Sequence, residues 1–178
     1  MDSKSKDSCK SVSLEERLFV AILKVADSLS QDSEQLIKSA GLTAAQYNVL
    51  RILRGAEPEG LACSGIGERM ISHDPDMTRL LDRMEKRSLI TRQRQKDDRR
   101  VVKTHITEEG LVLLKKLDLP IREHHKRKFQ HVSQSRLKAL EQLLVELGTR
   151  ESTSYFRASN NNPNQKYERT TKGQEHRK

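Results

Sequence analysis

The sequence predicts a mostly helical α+β chain, in which a winged helix-turn-helix sits between long helices with apolar seams. Three stretches carry that expectation. Met77, Leu80, Leu81 and Met84 fall at i, i+3, i+4 and i+7, which places them on one stripe of a helix. Ahead of it, the short segment Gly65 to Ile71 is joined to that helix by Ser72-His73, a tight connection between two short helices. Behind it, Leu89 to Arg94 alternates in strand fashion, Val101 to Ile106 answers it, and Gln95 to Arg100 forms a charged hairpin tip.

Taken in order, Ser13-Leu14-Glu15-Glu16 reads as a capping box, with the serine capping and Glu16 reaching back. Leu14, Leu18, Ile22, Val25 and Leu29 then repeat at close to four-residue spacing and continue to Leu36 and Ile37. This is a long helix, ended by Gly41, whose seam suits a partner helix better than water. Thr43 and Gln46 form a second capping box, with Leu42 and Tyr47 at the staple positions, and that helix runs through Leu53 to Gly55. Glu57 to Gly60 is a turn and Leu61-Ala62-Cys63 a candidate strand. Ser64 is expected to cap the short helix that follows. Asp74 is expected to cap the next one, with Pro75 at its first position, where no N–H is required.

After the hairpin, Thr107-Glu108-Glu109-Gly110 opens a helix with acids where the macrodipole favours them. Pro120 is expected to kink or break it. Ser133 precedes a last helix with Leu137, Leu140, Leu144 and Leu147 in a seam. From Thr149 onward the chain carries seven Lys or Arg against three Glu and little apolar content, the composition of a disordered basic tail.

The net charge of +9 favours a polyanionic partner, most simply nucleic acid. It concentrates around the hairpin: from Lys86 to Lys103 there are eight Lys or Arg against two Asp, more one-sided than a solvated tip requires. No basic segment has the bulky apolar face that a membrane surface needs, and no run approaches a membrane span. The polar N-terminus lacks the pattern of a signal peptide, so a cytoplasmic location is expected. Cys9 and Cys63 stand far apart, outside any CxxC pair, which excludes a zinc or disulfide framework. Cys63 reads as a small apolar strand residue, and the adjacent His124 and His125 do not face one direction on a helix as a metal pair would. No nucleophile–base set and no phosphate-cradling glycine loop appears; neither catalysis nor a cofactor is expected.

The helix from Met77 turns Pro75, Thr78, Arg79, Asp82, Arg83 and Lys86 away from its apolar stripe. On an isolated helix this would be a solvated face. In this setting the chain resembles the MarR family of bacterial transcription regulators over about residues 14 to 147. The resemblance rests on Leu42 to Leu50, on Thr78 to Arg87, and on Asp98-Arg99-Arg100 followed after five residues by Ile106-Thr107. It implies a homodimer on pseudo-palindromic double-stranded DNA, built from the first helix and the last two, with recognition helices in major grooves and wings at minor grooves. Carried across by position, Pro75, Asp76, Thr78, Arg79 and Arg83 would lie at base edges, while Asp98, Arg99 and Arg100 would lie at the minor groove. Arg100 would enter that groove with its guanidinium held by Asp98. Ser64, Lys86, Arg94 and Lys96 would meet the DNA backbone. Arginine suits both tasks, through bidentate guanine contacts and through attraction to narrow minor grooves.

The implied organisation is a flexible N-terminus (1–12), a dimerisation helix (13–41), a winged helix-turn-helix (42–107), dimerisation helices (108–148) and a basic tail (149–178). Two residues depart from the family pattern. Ser88 stands where glycine usually ends the recognition helix, so a side-chain-bearing residue is expected at positive φ, at a cost of about 1 kcal/mol. Asp76 is an acid on a DNA-facing turn; it either accepts from a cytosine amino group or stabilises the helix start, and the second is favoured. Family members often respond to small aromatic molecules between dimer helices and winged domain, with Tyr47 and Pro120 the places to look. Some keep a peroxide-sensing thiol near the first helix, but only Lys10 beside Cys9 would lower its pKa. The competing functions are non-specific nucleic-acid packaging or RNA association through the same basic surface, and a winged helix kept for protein contacts.

Overall fold

The computed structural model describes residues 12–72, 74–95 and 100–148. Lys96, Asp98 and Arg99, the N-terminal segment with Cys9, and the 149–178 tail lie outside the described residues. The element order is α1 (Leu14–Ser39), α2 (Ala44–Arg54), α3 (Cys63–Gly67), α4 (Met77–Lys86), β1 (Ile90–Arg94), β2 (Val102–Ile106), α5 (Glu108–Phe129) and α6 (Gln134–Gly148).

Both capping boxes form. Ser13 accepts from the Glu16 N–H while Glu16 accepts from the Ser13 N–H, and Thr43 and Gln46 do the same at α2. The ends of α1 and α4 share one geometry. Gly41 (φ 72) donates to Lys38 O and Leu42 to Ile37 O; Ser88 (φ 56) donates to Glu85 O and Leu89 to Met84 O. Each is a Schellman motif closed by an apolar pair, Ile37 with Leu42 and Met84 with Leu89, all four buried. The expected positive φ at Ser88 is therefore present, on the residue type that resists it.

The core gathers around α2, whose Val49, Leu50 and Leu53 are fully enclosed. Ile66 of α3, the Leu80-Leu81-Met84 stripe of α4, Ile90 and Ile106 of the hairpin, and Leu114, Leu117 and Ile121 of α5 complete it. Burying each such side chain contributes roughly 1.5–3 kcal/mol. The hairpin pairs Ile90 with Ile106 through Arg94 with Val102, antiparallel, so both isoleucines face inward. Its root is held twice more: Leu61 bridges to Thr104, and Glu57 Oε1 accepts from the Ile106 N–H at 3.1 Å. Gly110, in the first turn of α5, lies where an added Cβ would stand 2.5 Å from the Leu89 carbonyl oxygen; glycine lets α5 dock against the strand. Arg54 Nη1 donates to both carboxylate oxygens of Asp118, at 3.0 and 2.8 Å, tying α2 to α5.

Four expectations need correction. Asp76, not Asp74, caps α4, accepting from the Arg79 N–H at 3.3 Å; Asp74 accepts instead from the Asp76 N–H, and Pro75 lies in that turn, ahead of the helix. The short side chain of Asp74 finds a donor two residues on, which delays the helix start by two positions. α3 spans Cys63–Gly67, preceded by Ala62 in extended conformation with no side-chain cap, so Ser64 lies inside it and Cys63 is an exposed helical residue. The Leu61–Thr104 bridge sets Ala62 extended, and the helix follows at once. Of the candidate strand only Leu61 pairs. Finally, of the kink or break expected at Pro120 the break does not occur: α5 continues across it as one helix. The missing N–H frees one carbonyl, while Leu117 and Ile121 on either side stay packed in the core.

Candidate nucleic-acid interface

The surface that carries the expected base-reading residues is the outer side of α4. Its inner stripe is locked in the core, and Asp76 satisfies an N–H at its start, so the outer face is held by a rigid frame. Thr78, Arg79, Arg83 and Lys86 are exposed there, with Pro75 exposed just ahead and Asp76 half-buried at the cap. Ser64 is exposed on α3, and Arg94 is exposed at the outer end of β1. Across the tip, Arg100 is also exposed. The contact expected between Asp98 and Arg100 falls outside the described residues.

Ion pairs on this face run both within α4 and across to the hairpin. Arg79 Nε lies 3.2 Å from Asp76 Oδ2, so Arg79 pairs back toward the cap rather than forward to Asp82. Asp82 is engaged by Arg92 Nη2 from β1, and Arg92 Nε lies 3.0 Å from Glu85 Oε2. Sequence reasoning did not single out Arg92. The available signal was its place two residues after buried Ile90, on the same side of the strand and toward α4. Arg87, at the end of α4, donates from Nη1 to Gln46 Oε1 at 3.3 Å, which links α4 to the start of α2. Asn48 was also missed: buried in α2, it accepts from the Ile71 N–H at 2.9 Å and so fixes the connection between α3 and α4.

A second polar region lies where α2 and α1 meet α5. The Arg51 guanidinium stands 5.8 Å from the centre of the Tyr47 ring, and burial pushes the Tyr47 phenol up. Burial holds the His125 imidazole below its ordinary value, with His124 and Arg51 acting in the same direction. The hydrogen bond from Lys128 holds the Asp32 carboxyl low and joins α1 to α5. The two imidazoles meet edge to face at 6.0 Å. Among the described residues no group of three or more His, Cys, Asp or Glu is placed to hold a metal, and no helix is long and apolar enough to cross a membrane.

The MarR family model matches residues 42–102, which spans α2 through the wing. The chain is 32% identical over 108 residues to the organic hydroperoxide resistance transcriptional regulator of Bacillus subtilis (strain 168), covering 60% of this chain and 72% of that protein. It spans between 53% and 72% of the length of the first curated relatives that it matches. A MarR transcription factor from Planctomyces limnophilus superimposes with a TM-score of 0.58 at 37% identity, covering 77% of this chain and 98% of that one. An organohalide-sensing transcriptional regulator in its 2,4-dichlorophenol-bound form shares the fold with a TM-score of 0.69 at 19% identity, over 85% of this chain and 90% of that one.

Proposed function

Since the chain belongs to the MarR family of winged helix-turn-helix transcription regulators, we propose that it acts as a homodimeric repressor on a pseudo-palindromic duplex operator. The observation that carries this reading is α4: an amphipathic helix whose inner face is wholly committed to the core and whose outer face shows Thr78, Arg79, Arg83 and Lys86. In the major groove Arg79 and Arg83 are the guanine readers, with Thr78 beside them and Asp76 acting as the cap. Arg100 acts at the minor groove, and Ser64, Lys86 and Arg94 meet phosphates. The exposed seams of α1 and α6 support pairing with a second copy, which would set two recognition helices about one helical turn apart.

The pair between Arg79 and Asp76 does not compete with base reading. The Arg79 side chain is exposed and that of Asp76 half-buried, and such a surface pair contributes well under ~1 kcal/mol, less than a bidentate guanine contact at roughly 1–3 kcal/mol. Selecting binding sites from a random duplex library tests the reading. The wild-type chain is expected to yield an inverted repeat, and Arg79→Ala to relax preference at one symmetric pair of positions. Identical site preferences for the two would end the claim that Arg79 reads a base. A small aromatic effector is proposed for the side of α2 and α5 that carries Tyr47, Arg51 and His125, in keeping with the phenol held by the organohalide-sensing relative in fold.

A further inference from the structure

We infer that Arg92, a strand residue outside the base-reading set, is a positioning residue that neutralises Asp82 and Glu85 and so keeps the phosphate-facing side of the recognition helix cationic. The inference rests on the DNA-binding reading above. The outer side of α4 carries two acids among its cations, and on an isolated helix Asp82 would be shared between Arg79, three residues before it, and Lys86, four after it. Both of those cations lie on the proposed DNA face.

The fold removes that competition. Arg92 reaches from β1 to the Asp82 carboxylate through Nη2 and lies 3.0 Å from Glu85 through Nε, so one guanidinium serves two carboxylates a turn apart. It donates a hydrogen bond to Asp82 through Nη2, while its Nε makes no hydrogen bond and acts on Glu85 through the proximity of charge. The side chain is only 23% exposed, whereas those of Asp82 and Glu85 are 47% and 43% exposed. The cation is therefore fixed beneath the surface, and the acids it holds are the groups nearer to solvent. Arg92 stands on the same side of β1 as Ile90, which is 1% exposed, so the strand register that builds the core also delivers the guanidinium. Without it, two carboxylates would face the phosphates from the helix that must approach them, and Asp82 would draw Lys86, a proposed phosphate contact, into an intrahelical pair. Sequence-independent affinity depends on the cations that reach phosphate, so the loss should appear on every duplex alike.

The test uses the full chain and a duplex selected by the wild type, with affinity followed across salt concentration. Arg92→Gln is expected to weaken binding at least tenfold and to flatten the salt slope without changing the preferred sequence. Asp82→Asn with Glu85→Gln in the same Arg92→Gln chain is expected to restore both affinity and slope to within threefold. The same neutralisation placed at Glu123 and Glu141 is expected not to restore them. Should Arg92→Gln fail to fold, comparing the Asp82→Asn/Glu85→Gln chain with its Arg92→Gln derivative decides the matter, because with the acids gone Arg92 should be silent. A derivative that still binds at least tenfold more weakly would mean that Arg92 touches DNA itself, and would overturn the inference. Unchanged binding by a folded Arg92→Gln chain would also overturn it. A wild type that binds no duplex would instead overturn the DNA-binding reading on which it stands.

Discussion

The winged region and the terminal helices use the same residues to opposite effect. Leucines at helical spacing in α2, α4 and α5 (Leu50, Leu53, Leu81 and Leu114) are enclosed by neighbours from their own chain. In α1 and α6, Leu14, Leu18, Val25, Leu140, Leu143 and Leu147 stand in similar stripes, yet most are about half exposed or more, and no residue of α6 is buried. Spacing reveals that a face is apolar; it does not reveal what covers that face. In the winged region α2 is surrounded by α3, α5 and the hairpin, whereas α1 enters the core only at its last turns, through Ile37. Stripes of this size are rarely left to water, and a second copy is the expected cover.

The sharpest way to break this contrast is to cut into both regions. Leu81→Ala should cost about 2–5 kcal/mol in urea unfolding, because its site is sealed on all sides and cannot collapse. Leu18→Asp combined with Leu147→Asp should leave the winged core folded by circular dichroism, but give a monomer mass by light scattering at micromolar concentration. A double variant that kept the dimer mass would show that these stripes are not the interface.

A smaller effect is expected at the two helix ends. Gly41 and Ser88 occupy the same position of the same motif, one in each region, but only glycine adopts positive φ without steric cost. Ser88→Gly should stabilise the chain by up to about 1 kcal/mol, and Gly41→Ser should destabilise it by a similar amount. Opposite signs for the pair in thermal unfolding would support the equivalence; equal signs would break it.

The smallest effect concerns pH. His125 is held below its ordinary value of 6.5 in the folded chain, so the unfolded chain takes up the proton first as pH falls. Its contribution is therefore complete above about pH 6.5 and is lost as pH drops through the folded value. His125→Gln should flatten that part of the stability profile, measured by urea unfolding between pH 7.5 and 5. An unchanged slope would show that His125 is not the group responsible.

What the sequence determined by itself was local. The capping boxes at Ser13 and Thr43, the stripe from Met77 to Met84 and the alternation of both strands all depend on residues within about two helical turns or two strand positions of each other, whereas the positive φ at Ser88 was legible only through the resemblance to the family. Such signals survive without a tertiary partner, because hydrogen bonds and side-chain periodicity act over that range. They were sufficient for the winged helix-turn-helix and for the exposed Thr78, Arg79 and Arg83 of α4. The tertiary structure decided matters in which alternatives of similar local energy compete. Ser64 was an adequate cap until the pairing of Leu61 with Thr104 set the chain direction one residue ahead of the helix. Pro120 weakens any helix, but its neighbours Leu117 and Ile121 are packed into the core, and one lost hydrogen bond is small beside that burial. Asp82 had two cations within reach on its own helix, and a third, ten residues along the chain, claimed it because β1 lies against α4. No pattern within a few residues encodes that choice; it is made when strand and helix pack together.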